Sequence, residues 1–181
     1  MPHYVALLRG INLGKRRIKM PVLTQLFEDQ GFSDVSTILA SGNVVFFATS
    51  RSGSKLAGAI STSLGLQLGY AVPTRIRAAS ELRAAIAAAP FGDLFADKPH
   101  ASTQVTFFDQ LVSPDLAADL ESRSTPTDQL RIVGRELYWR CATKLSESPL
   151  WKNSQQNPHH LTQGTTRNLQ TLAKIADRLP A

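Results

Sequence analysis

The sequence predicts an α+β fold of two units, each an antiparallel sheet carrying helices. Two observations carry that expectation. Over residues 3–76 apolar runs of strand and helix period follow one another in the order βαββαβ, and residues 103–179 repeat most of it as βαββα. Two hairpin-like segments, Thr37 to Phe46 and Leu130 to Trp139, take matching places in the two halves. Composition agrees, since 43% hydrophobic and 19% charged residues in a chain of 181 exclude a disordered, collagen-like or coiled-coil protein.

Each element has its own signal. His3 to Leu8 is apolar and leaves into a loop at Arg9-Gly10, as a buried strand does. Pro21 stands at a first helical position, Val22, Leu23, Leu26 and Phe27 follow at helical spacing, and Gly31 stops the helix. Val35 to Leu39 and Val44 to Phe47 bracket Ala40-Ser41-Gly42-Asn43, a turn composition, and form a hairpin. Leu56, Ala59, Ile60, Ser63 and Leu64 make an amphipathic helix closed by Gly65, and Leu68 to Ile76 a strand. A connector helix runs from the N-cap Ser80 to Ala89, before Pro90. Val105 to Phe108 is a strand, Pro114 to Glu121 a short helix, and Leu130 to Val133 with Leu137 to Arg140 a hairpin turning at Gly134-Arg135. Ala142 to Gly164 reads as irregular, and the last helix as Thr166 to Leu179.

The βαββαβ order is the split βαβ, or ferredoxin-like, unit, in which two helices cover one face of the sheet. The expectation is two ferredoxin-like subdomains: residues 1–77, then residues 78–181 with the connector helix at their start. One-sided cover leaves the other face for the second sheet, a ligand or a second copy.

Charge narrows the function. The net +6 is divided unevenly, with +6 on residues 1–77, −5 on 78–121 and +5 on 122–181. Arg9, Lys15, Arg16, Arg17 and Lys19 form the densest run, with no acid before Glu28. They share the loop before the first helix with Gly10, Asn12 and Gly14, and helix N-termini attract anions. The loop matches neither a Walker A nor a dinucleotide fingerprint, and its bland reading is a solvated turn. Ser41 and Asn43 lack a nucleophile elbow, so a local hairpin role competes with ligand contact. Thr165 or Thr166 reads as an N-cap, which places Arg167 and Asn168 in the first helical turn, where a cation opposes the dipole. Such an arginine serves a ligand or an ion pair.

Other chemistries find less. Asn157-Pro158-His159-His160 has no zinc spacing beside it, so no metal is expected. Trp139, Trp151 and Tyr138 offer stacking surfaces for bases, but the signature of the ferredoxin-like RNA-binding module is missing. Cys141, the only cysteine, excludes an intrachain disulfide and reads as a buried thiol. The longest apolar runs are five residues against roughly 20 for a membrane span, and no secretory signal is expected, since the first such run follows His3 directly with no basic stretch or long apolar stretch ahead of it. The expectation is a cytoplasmic protein with no membrane partner and no cofactor.

Leu8-Arg9-Gly10-Ile11-Asn12-Leu13-Gly14, Ser41-Gly42-Asn43-Val44-Val45-Phe46 and Thr165-Thr166-Arg167-Asn168, with Thr171 and Lys174 after it, together resemble a bacterial family. That family is domain of unknown function 1697, and the resemblance follows nearly the whole chain in order. It implies two ferredoxin-like subdomains and no activity. Where members carry a Gly-containing loop and a Ser-Lys pair, this chain has Cys141 to Ser146 and Ser148 to Lys152, with Lys144 and Lys152 as alternatives for the lysine.

Three functional readings follow, in this order. The first is a binding module that grips a phosphate-containing ligand or nucleic acid through the basic loop and Arg167. The second is an enzyme acting on a small anionic substrate between the subdomains with Ser41, Asn43, Arg167 and Asn168. The third is an interaction scaffold.

Overall fold

The computed structural model describes residues 2–50, 52–156 and 164–180; the Asn157 to His160 segment lies outside them. The chain forms two compact units, Met1–Ala84 with Ala173–Ala181, and Ala85–Leu172.

The first unit follows the predicted order: β1 His3–Leu8, α1 Met20–Glu28, β2 Ser33–Ile38, β3 Asn43–Phe47, α2 Gly53–Leu68 and β4 Thr74–Ala78. Its strands lie in the order β2-β3-β1-β4, every pair antiparallel. Because side chains alternate along a strand, Tyr4, Ala6, Leu8, Val44, Phe46 and Ile76 share the face that meets the helices. Against them α1 sets Leu23 and Phe27, and α2 sets Leu56, Ile60 and Leu64, each series at four-residue spacing and fully or nearly buried. Phe46 is the hub, with Phe27 at 5.5 Å edge-on and Phe32 at 4.7 Å. Burial of each such side chain contributes about 1.5–3 kcal/mol. On the other face Val5, Leu7 and Val45 are buried too.

The end of α2 and the start of β4 differ from expectation, since Leu68, read as opening the strand, is the last residue of the helix and β4 begins at Thr74. Gly65 lies inside α2, and the helix ends at Gly69, whose left-handed backbone (φ 74°) closes it with a bond to the Gly65 carbonyl. Gly65 sits where leucines still continue the apolar stripe, so packing overrides its weak propensity.

The connector helix α3 is Ala79–Ala87. The second unit then runs β5 Ser102–Phe107, α4 Pro114–Ser122, β6 Asp128–Val133, β7 Glu136–Cys141, α5 Pro149–Gln156, β8 Thr165–Asn168 and α6 Leu169–Ala176. Its strands stand in the order β6-β7-β5-β8, the same arrangement as in the first sheet. Leu120, Leu130, Leu137, Trp139, Cys141 and Leu150 form its core. Beneath them Asp128 is fully buried, and its carboxylate accepts from Trp139 Nε1 and Ser148 Oγ, both at 2.8 Å.

Two expectations are corrected here. The stretch read as irregular contains α5, opened by Ser148, whose hydroxyl accepts from the Trp151 amide at 3.1 Å. Thr165–Asn168 is a strand and not the start of the last helix, because its backbone completes the sheet against Gln104–Phe107 of β5. The cap of α6 is accordingly Asn168, whose Oδ1 accepts from the Gln170 amide at 2.8 Å.

A candidate anion-binding loop

The β1–α1 loop is held by one side chain. Asn12 Nδ2 donates to the Ala40 carbonyl (2.9 Å) and the Ile18 carbonyl (3.4 Å), while its Oδ1 accepts from the Ile18 amide (2.7 Å). One amide thus closes the loop and ties it to the β2–β3 turn. A second tie is the Tyr70 hydroxyl, which donates to the Ile11 carbonyl at 3.0 Å. The Arg16 guanidinium lies 4.3 Å from the centre of the Tyr70 ring and donates to the Gly10 carbonyl at 3.4 Å. Arg17 donates to the Arg16 carbonyl (2.7 Å) and the Asn12 carbonyl (3.4 Å). A guanidinium has five N–H donors, so both arginines keep donors for a ligand.

Arg9, Lys15, Arg16, Arg17 and Lys19 are all exposed, and among the described residues none of them forms an ion pair with an acid. Behind them, α1 begins after Lys19, whose side chain does not cap it, and has no acid in its first turn. Its leading amide dipoles therefore add positive potential to that of the side chains.

The other predicted residues have local bonds. Asn43 is fully buried and its amide donates to the Ile38 carbonyl (2.8 Å) and to Ser41 Oγ (3.0 Å), which shapes the turn. Arg167 and Asn168 belong to the second unit. With Arg167 on β8, the argument from an unfavourable helix dipole lapses. Its guanidinium donates to the Thr166 carbonyl at 2.8 Å, and burial pulls its pKa down to about 10, so it stays charged at neutral pH. Tyr70 was not predicted as part of the loop; an aromatic residue 54 positions from Arg16 in the chain leaves no spacing signal.

The remaining candidates are structural. Tyr138 and Trp139 are buried, and Trp139 stacks on Trp151 at 6.3 Å. Cys141 is buried, and desolvation pushes its thiol pKa up. Lys144 precedes a short 3-10 turn and lies 3.8 Å from Glu147, whereas Lys152 is on α5. No group of three His, Cys, Asp or Glu side chains gathers among the described residues, and no helix among them is long and apolar enough to cross a membrane.

Fold and loop together define an α+β protein of two ferredoxin-like units, the first bearing a braced basic loop. The chain belongs to the family described as a protein of unknown function, DUF1697, whose match covers residues 1–138. A solved structure, that of the conserved bacterial protein SP0830 from Streptococcus pneumoniae, is similar in fold, with a TM-score of 0.79 at 22% identity over 98% of this chain and 97% of that one. No curated protein matches the sequence.

Proposed function

We propose that this protein is a cytoplasmic binding module that holds a phosphate-containing ligand, nucleic acid foremost, on the β1–α1 loop of its first unit. The observation that carries the reading is a loop with five exposed cations, braced by Asn12 and Tyr70, in which no described acid neutralises any of them. Bracing matters because a loop ordered in advance loses less entropy on binding. Ser41, Asn43 and Asn168 already bond local groups, which leaves the enzyme reading fewer polar groups to work with.

The test is the salt dependence of binding to single-stranded RNA. Each phosphate neutralised gives a log–log slope of about −0.7. Replacing Lys15, Arg16 and Arg17 together by Gln is expected to flatten the slope by about two units, and the same change at exposed Lys55, Lys152 and Lys174 by less. Equal effects of the two triple variants mean attraction by net charge alone. Absence of binding at low salt removes nucleic acid as the ligand.

A further inference from the structure

The far end of β1 carries a different chemistry. His3 opens the strand and Arg9 follows its end, so the basic loop lies about 20 Å away along the backbone. Around His3, residues of β2, β3 and the C-terminal tail of the same unit line an open, shallow cavity of about 430 Å³. Its polar wall is His3, Asp34, Ser36 and Arg178, and its apolar wall includes Val45 and Leu179, both buried.

These polar groups are brought together by a defect in the sheet. Register along β2 shifts between Ser33 and Ser36, and within that bulge Asp34 takes a left-handed backbone (φ 51°). A bulge re-aims a side chain, and holding a non-glycine residue there costs on the order of 1 kcal/mol. The effect is to set Asp34 Oδ2 3.4 Å from His3 Nε2, across the intervening strand β3. The His3 ring is also fixed edge-on by Phe47 at 5.6 Å. Asp34 is thus engaged with the imidazole, while Arg178, exposed on the cavity rim, pairs with no acid among the described residues.

From this juxtaposition we infer that the cavity binds a small monocarboxylate with a short aliphatic body. A guanidinium takes a carboxylate with two parallel hydrogen bonds, the Ser36 hydroxyl supplies a further donor, and the exposed Pro180 ring, backed by Val45 and Leu179, meets the hydrocarbon. The Asp34 carboxylate disfavours a dianion, which sets the pocket apart from the phosphate-seeking loop at the other end of β1.

The full chain is titrated with 4-methylpentanoate while backbone amide shifts are followed by NMR. Saturable shifts at His3, Ser36 and Leu179 are expected, with Kd of about 1 mM for so small a ligand. Arg178→Gln, a rim change that leaves the core intact, and replacement of the ligand by its neutral amide should each weaken binding at least about tenfold. Ser36→Ala should weaken it less, and inorganic phosphate should bind more weakly than the carboxylate. The K15Q/R16Q/R17Q variant should bind 4-methylpentanoate normally, which separates this site from the loop. Absence of saturation by about 20 mM, equal binding of the amide, or unchanged binding by Arg178→Gln overturns the proposal.

Discussion

Gly42 and Gly14 share a left-handed backbone, at φ 81° and 63°, yet a methyl group meets different surroundings at each. At Gly42 a Cβ would stand 2.6 Å from Ile11 Cγ2 and 3.0 Å from Leu8 Cβ; at Gly14 nothing lies within 4 Å. Gly14→Ala is therefore expected to cost about 1–2 kcal/mol of conformational strain alone, and Gly42→Ala about 1–3 kcal/mol more from overpacking, as read by urea denaturation. Equal losses would mean that Ile11 moves aside freely. Asn12→Ala removes the bonds to Ala40 and Ile18, leaving the Tyr70 tie, and should cost about 1–3 kcal/mol while weakening RNA binding, although no cation is lost. Cys141 supplies a pH test. Its folded pKa is raised above the ordinary 9.0, first by desolvation, so the unfolded chain releases the thiol proton earlier. The contribution to stability is complete below pH 9 and declines as pH rises beyond it. Stability measured from pH 8 to 10.5 should fall more steeply in the native chain than in Cys141→Ala. At this scale the sequence announced the cations, because charge needs no partner to be read. It gave no sign that Asn12 is a brace or that His3 meets Asp34, since both depend on strand register and on a bulge.

At the scale of single elements, α1 stands out for what its first turn lacks. Ser, Thr, Asp and Asn are the preferred caps, and here Lys19 holds the cap position without a side-chain bond. Lys19→Asp should raise stability by about 0.5–1 kcal/mol, through capping and the helix dipole, while lowering affinity for RNA. Thermal unfolding and the RNA titration report the two effects separately; a stabilised variant with unchanged affinity would show that the helix end takes no part in binding. The elements most legible in the sequence were those with two independent signals, such as α1 with Pro21 and its apolar stripe, or the first hairpin with its Ser41-Gly42-Asn43 turn. β8 was misread because four residues are too few to show alternation, and the helical pattern of Leu169, Leu172 and Ile175 begins directly after it. α5 was missed although Ser148-Pro149 is a start signal, because the polar residues after Trp151 hide its period.

For the molecule as a whole, the repeated strand order was legible because each hairpin fixes two strands and the order of elements places the others. The return of the tail was not, since nothing in residues 173–181 names the unit they join. In that tail Ile175 and Leu179 are buried, and Arg83 donates to the Leu179 carbonyl (3.2 Å) and the Pro180 carbonyl (2.6 Å). Ending the chain at Leu172 should therefore destabilise the first unit by more than about 3 kcal/mol, with faster hydrogen exchange in β1 and β3 than in β5 and β7. Uniform acceleration across both sheets would contradict the assignment of the tail to the first unit. The same arrangement sets a timetable for the ribosome. The opening 84 residues emerge early, but the segment that closes their unit follows about 90 residues later. At the usual pace of translation that is a wait of roughly 5–20 s, during which the nascent first sheet is exposed to chaperones and to its neighbours on the polysome, while the inserted unit already has all its own strands.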